Sequence, residues 1–281
     1  MSAVFDTRAC ELGEGAFWHP ERRQLFWFDI LGKRLLTRTE QGALSWDMGE
    51  HASAAGWIDR ETLLIATETG LYRFDLTSGA RERLAGLEAD RPETRSNDGR
   101  ADPQGGFWIG TMGKSVEPGA GAIYRYHRGR VEKLFDGITV PNAICFAPDG
   151  QRAYYADTRR QRIWQVALDA EGWPAAQPEV FVDLRGEGLN PDGAVTDAEG
   201  GLWNAQWGAG RVARYHPDGT FDRAITIPAA HASCPCFGGE DLSRLYLTSA
   251  RERLFEPGPS DGQTFVLDPG CRGRAEPRVI V

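Results

Sequence analysis

Four residues with oxygen-bearing side chains, Glu14, Asn97, Asn142 and Asp192, stand at one phase of a repeated pattern. Each lies six residues ahead of a turn position: Pro20, Pro103, Pro148 and Ala198. The turns read His19-Pro20-Glu21, Asp102-Pro103-Gln104-Gly105-Gly106, Ala147-Pro148-Asp149-Gly150 and Asp197-Ala198-Glu199-Gly200-Gly201. Asn and Asp favour turns ahead of strands in any case, yet a shared offset in four places is more than turn chemistry asks for. If the four units stand around an axis, the side chains converge. Carboxylate and amide oxygens suit hard divalent cations such as Ca2+, Mg2+ or Mn2+, without excluding Zn2+ or Fe2+. Two carboxylates packed together also repel one another unless a cation or proton intervenes. The pattern predicts one divalent-cation site.

What must position these residues is a repeat. Six units each show a turn followed by a short aromatic or aliphatic strand: 20–29, 59–67, 103–111, 148–157, 198–206 and 239–249. The turns recur about every 44 residues, so six units nearly exhaust a chain of 281. Second strands with alternating polarity follow, as in Gly70-Leu71-Tyr72-Arg73-Phe74-Asp75 and Gly121-Ala122-Ile123-Tyr124-Arg125-Tyr126. A third strand is expected at Arg130–Phe135 and Glu179–Val182. Repeats of this length built from three or four strands predict a single all-β domain over 1–281, a six-bladed β-propeller with the metal site at its centre. The residues leading into each channel-lining strand gather at one mouth, and Ser53 and Ser233 occupy the same phase in the other two units. An end segment, Val4–Cys10 or Arg278–Val281, must complete the last blade, since an open ring leaves a strand edge bare.

Composition narrows the partners. Lys plus Arg number 32 against 40 acidic residues, a net charge of −8, and basic runs are absent. Nucleic acid and anionic membranes are therefore not expected partners. No apolar run is long enough to span a bilayer, and Met1–Glu14 lacks the basic start and apolar core of a secretory signal. Five scattered cysteines without a Cys-x-x-Cys pair suggest reduced, buried thiols and a cytoplasmic setting. The phosphate-loop-like Gly113-Lys114-Ser115 has Trp108 where the motif needs glycine. Serine-hydrolase elbows and His-Glu-x-x-His helices do not occur.

In order along the chain come Gly13-Glu14-Gly15-Ala16-Phe17-Trp18, Arg95-Ser96-Asn97-Asp98-Gly99, Gly106-Phe107-Trp108-Ile109-Gly110-Thr111-Met112, Pro141-Asn142-Ala143, Pro191-Asp192-Gly193 and Cys236-Phe237-Gly238-Gly239. This ordered set resembles the regucalcin (senescence marker protein-30) and gluconolactonase family from about Cys10 to Arg251. The resemblance implies a six-bladed propeller with one central divalent cation that hydrolyses sugar lactones. It implies Glu14, Asn142 and Asp192 as metal ligands, Asp192 also as general base, and Arg95 and Asn97 as contacts to sugar hydroxyls. The loop 113–121 is shorter than in the animal branch, and Glu117 has no match to that branch's substrate-contacting acid.

The expected chemistry is hydrolysis of an aldonolactone, a cyclic ester whose carbonyl oxygen gains negative charge as water attacks. A cation polarises that carbonyl and acidifies water, a nearby carboxylate takes the proton, and Arg95 can donate paired hydrogen bonds to the sugar or its acid product. Asn97 could ligate the ion directly or through water. A promiscuous esterase or organophosphate hydrolase on the same site, and a non-enzymatic calcium-binding propeller, are the alternatives. The expected partner is a small-molecule sugar lactone, and the expected assembly is a monomer or small homo-oligomer. Among the other candidates, His51 and His231 could rim the pocket, Trp18 and Trp207 could offer a stacking face to a sugar, and His19 and His216 suit turn capping.

Overall fold

The computed structural model describes residues 2–281. Strand β1 (Ser2–Asp6) comes first, followed by five complete four-stranded sheets. Blade I holds β2 (Gly13–His19), β3 (Gln24–Asp29), β4 (Arg34–Thr39) and β5 (Gly42–Asp47). Blade II holds β6 (Ala52–Asp59), β7 (Thr62–Thr67), β8 (Gly70–Asp75) and β9 (Arg81–Gly86). Blade III holds β10 (Thr94–Ala101), β11 (Phe107–Gly113), β12 (Gly121–His127) and β13 (Arg130–Ile138). Blade IV holds β14 (Pro141–Phe146), β15 (Arg152–Asp157), β16 (Arg162–Ala167) and β17 (Glu179–Asp183), with a 3-10 turn at Thr158–Arg160. Blade V holds β18 (Asn190–Thr196), β19 (Leu202–Trp207), β20 (Arg211–Tyr215) and β21 (Phe221–Thr226). Blade VI is β22 (His231–Gly238), β23 (Arg244–Ala250) and β24 (Thr264–Leu267), completed by β1 in the order β22-β23-β24-β1. The architecture is the expected six-bladed propeller.

The repeat seen in the sequence marks the second strand of each blade, not the first. Those strands carry the large apolar residues: Trp108 and Trp203 fill matched, fully buried positions on β11 and β19, and Trp27 is fully buried on the opposite face of β3. Full burial of such a side chain is worth roughly 1.5–3 kcal/mol. The strands expected as third, at Arg130–Phe135 and Glu179–Val182, prove to be outermost fourth strands. The innermost strands β2, β6, β10, β14, β18 and β22 pack each against the next, and β22 returns to β2. They are rich in Gly and small polar residues because little room remains at the axis. Glu14, Asn97, Asn142 and Asp192 therefore lie within these strands, rather than on loops leading into them.

Ring closure uses the N-terminal segment. Strand β1 pairs antiparallel with β24, matching Ser2 with Leu267 and Val4 with Phe265. It begins and ends earlier than Val4–Cys10, with Cys10 held instead by the Gly262 carbonyl at 2.9 Å. The C-terminal segment does something else. Residues 272–281 cross the end of the ring away from the mouth, where the innermost strands finish. The Val279 and Ile280 amides reach the Trp57 and Gly105 carbonyls, at 2.9 and 2.8 Å, and Gly273 bonds Leu242 at 2.8 Å. Glu276 inserts its carboxylate against the Arg100 guanidinium, both side chains being buried. The tail thus closes the far end of the channel.

Removing one member of a buried ion pair strands its partner. Glu276→Ala is expected to cost about 3 kcal/mol or more in urea unfolding, and the double variant R100M/E276M should retain more stability than E276A alone. Wild-type stability in E276A would show that the pair does not hold the tail.

Candidate active site

The four phase-matched residues are aimed by irregularities in their strands. Register against the second strand breaks between Glu14 and Phe17, Ser96 and Gly99, Asn142 and Cys145, and Pro191 and Ala194. A bulge leaves residues out of the ladder and turns the strand, which re-aims a side chain. The backbone at Gly15 and Ala143 has φ of 58° and 55°. A Cβ at Gly15 would lie 2.1 Å from the Ser53 carbonyl oxygen, so glycine must follow Glu14.

The innermost strands also present an unpaired edge to the axis, and on β2, β14 and β18 a side chain of the neighbouring blade bonds it. The Asn97 amide nitrogen donates to the Pro141 carbonyl at 2.9 Å, and Thr158 Oγ1 donates to the Pro191 carbonyl at 2.7 Å. The Asp98 carboxylate accepts the Ile144 amide at 2.7 Å. Ser53 donates to Ser96 Oγ at 2.8 Å and Ser233 donates to the Gly13 carbonyl. Both serines therefore stitch blades together instead of lining the pocket.

Above these stitches opens a pocket of about 240 Å3. At ~30 Å3 per water this is room for one monosaccharide-sized ring. Its lining brings together Glu14, Arg95, Asn97, Asn142 and Asp192 from blades I, III, IV and V. These five residues line one cavity, whereas Ser53, Ser233, His51, His231 and Trp18 are not among its lining.

The hydrogen bonds give each a direction. Arg95 Nη1 donates to Asn97 Oδ1 at 2.7 Å and to the Ser96 carbonyl at 2.8 Å. Asn97 Nδ2 donates to Asn142 Oδ1 at 3.0 Å, while Asn142 Nδ2 donates to Thr158 Oγ1 at 2.8 Å. The carbonyl oxygen of Asn142 is thereby held by Asn97, and that of Asn97 by Arg95. On blade V, Asn204 Nδ2 clamps the Asp192 and Gly193 carbonyls at 2.8 and 3.2 Å.

Charge is concentrated here. Burial, then the Asp98 carboxylate, push Glu14 up to about 8. Burial, then Glu14 and Asp98, raise Asp192 well above the usual carboxylate range. Burial pushes Asp98 up to about 6. Carboxylates raised first by burial and then by neighbouring acids are short of positive partners, and the amide oxygen of Asn142 lies beside them as a third hard donor. This donor set fits one divalent cation held by Glu14, Asn142 and Asp192. Among the described residues no group of three His, Cys, Asp or Glu side chains is arranged for a metal, so a cation here would draw on the Asn142 amide as well as the two acids.

Several lining residues escape sequence reasoning. Glu252 and Arg253 follow β23, outside the repeated units, and Thr158 and Arg159 sit on the 3-10 turn. Lys114 lines the mouth while contacting the Glu68 carboxylate. Asp98 stands within Arg95-Ser96-Asn97-Asp98-Gly99, and the bulge there turns it to the next blade, where it accepts the Ile144 amide. Of the expected rim residues, His51 bonds Glu68 at 3.2 Å and His231 lies behind Trp207. Trp18 is buried against Tyr246. Glu117 accepts the Ser115 amide within its own loop. The thiols of Cys10, Cys145, Cys234 and Cys236 are buried and unpaired, as expected, whereas Cys271 is unpaired but only half-buried. Among the described residues no helix is long and apolar enough to cross a membrane.

Comparison with known proteins places this geometry. The chain matches the family model described as SMP-30/Gluconolactonase/LRE-like region over residues 12–251. It is similar to the L-arabinolactonase of Azospirillum brasilense, 38% identical over 97% of this chain and 93% of that one. It is also similar to the 6-deoxy-6-sulfogluconolactonase of Pseudomonas putida, 34% identical over 95% and 94%. Superposition on the crystal structure of a calcium-binding protein, regucalcin, from Agrobacterium tumefaciens gives a TM-score of 0.97. Identity there is 41%, covering 100% of this chain and 98% of that one. A propeller whose central acids and amides converge, with a family match spanning the ring, belongs to the SMP-30/gluconolactonase/LRE-like family.

Proposed function

We propose that this protein is a divalent-cation-dependent lactonase that opens an aldonolactone to its sugar acid. The observation that carries the reading is the convergence of Glu14, Asn142 and Asp192 in one cavity beside Arg95 and Asn97. The names of the related lactonases support the reaction class.

Glu14, Asn142 and Asp192 would hold the cation. Bound there, it supplies positive charge to the lactone carbonyl oxygen and acidity to a neighbouring water. Asp192 is the general base: it accepts the proton of the water whose oxygen bonds the carbonyl carbon. The carbonyl then re-forms, the ring C–O bond breaks, and Asp192 returns the proton to the departing ring oxygen. The product is a hydroxy acid, which ionises. Arg95 and Asn97 bind sugar hydroxyls and orient the ring. The Arg95–Asn97–Asn142–Thr158 chain of hydrogen bonds fixes them before substrate arrives, so little ordering remains at the moment of reaction.

Asp192→Asn should lower kcat for aldonolactones by about 10^2–10^4-fold without lowering thermal stability, because it removes one of two repelling acids. Chelator should likewise abolish turnover above the spontaneous rate, reversibly on adding back divalent cation. A D192N enzyme with wild-type kcat would remove Asp192 from the mechanism.

The raised acids also fix a pH dependence. Between the ordinary carboxylate value of 4.5 and about 8, the folded chain holds protons on Glu14 that the unfolded chain has released. Stability of the cation-free protein must then fall as pH rises through this window. A bound cation replaces those protons, so the gain in Tm on adding it should be larger near the upper end of the window than near the lower. Thermal unfolding with chelator or cation at both ends is the measurement. A gain that shrinks as pH rises would contradict the assignment of Glu14 and Asp192 as ligands.

A further inference from the structure

The pocket has a wall that the reaction chemistry does not use. Trp207, half-buried at the end of β19, is the one aromatic side chain lining it among the described residues. Its indole stacks on the imidazole of His231, with ring centroids 4.0 Å apart and planes 19° apart. Trp207 packs on the same apolar cluster as Leu12 and Leu31, and both of these also line the pocket. Facing the cavity from blades III and IV are the hydrogen-bonding groups of Arg95, Asn97 and Thr158.

We infer that Trp207, held flat by His231, is the platform on which the C–H face of a cyclic sugar stacks. The inference rests on the lactonase reading and adds how that site selects a ring. A sugar lactone presents carbon-bound hydrogens on its faces and hydroxyls around its edge. The cavity offers the complement: one flat, electron-rich ring with aliphatic neighbours, and polar groups elsewhere. His231 is buried and its Nδ1 has no hydrogen-bond partner. Its contribution is therefore the stacking contact beneath the indole, a positioning role. Burial lowers its pKa from the ordinary imidazole value. A Phe can supply the same flat face.

The test measures steady-state hydrolysis of a panel of aldonolactones alongside calorimetric binding of 1,5-anhydro-D-glucitol, a cyclic sugar with no carbonyl to attack. Trp207→Ala should raise KM about tenfold or more with kcat within about threefold and unchanged cation affinity. Trp207→Phe should fall between W207A and wild type. His231→Ala should raise KM and His231→Phe should restore it, a rescue that mere loss of fold would not give. Binding of the anhydro-sugar should weaken in the same order. Unchanged kcat/KM and anhydro-sugar binding in W207A would overturn the platform, as would a loss confined to kcat. A wild-type enzyme that hydrolyses no aldonolactone, yet binds the anhydro-sugar through Trp207, would retire the lactonase reading and leave the platform standing. Absence of both activities would retire both.

Discussion

Burial of the Glu14 and Asp192 carboxylates in one pocket is the constraint that the rest of the structure answers to. Buried acids prefer to be neutral, and two facing each other prefer it more. Asp98, itself pushed up to about 6 by burial, is close enough to raise both of them further. A fold that tolerates this must gain its stability elsewhere and must hold the acids in place against their own tendency to part. The propeller does both. Its hydrophobic core is distributed between the blades, in clusters around Trp27, Trp108 and Trp203. The axis is left free for polar groups.

Holding the acids in place falls to the innermost strands. Such a strand is paired on one side only, and buried backbone groups on the open edge need partners. In a closed ring the neighbouring blade supplies them through side chains: Asp98 to Ile144, Asn97 to Pro141, Thr158 to Pro191, and Ser233 to Gly13. The stitches that satisfy the edges are the bonds that orient the site, because Asn97 and Thr158 also bond Asn142. Structural and chemical roles are fused at these positions. Substitution there will disturb both the blade seam and the pocket.

The channel has two unlike ends. At the mouth the chain keeps open a pocket lined by acids, amides and one indole. At the other end the C-terminal tail lies across the ring, with Glu276 paired to Arg100 two residues beyond Asp98. With the tail across the far end, the pocket opens at the mouth, and the acids lie in low-dielectric surroundings where charges interact strongly. Ring closure by β1 and plugging by the tail assign different ends of the chain to different faces of the molecule.

Much of this was legible in the chain itself. The period of about 44 residues gave six blades, since turns and aromatic second strands leave strong local signals. The shared offset of Glu14, Asn97, Asn142 and Asp192 gave the site. Counting from turns has a definite physical limit, however. Innermost strands such as Thr94-Arg95-Ser96-Asn97-Asp98-Gly99-Arg100-Ala101 contain few β-branched or aromatic residues, so they do not read as strands at all. Only the ring, by supplying partners to their edges, makes them strands. Tertiary structure alone decided that Ser53 and Ser233 are stitches and that the last residues are a plug. It also brought Glu252 into the site and put His231 behind Trp207, because each depends on contacts between residues whose separation in sequence carries no periodic trace.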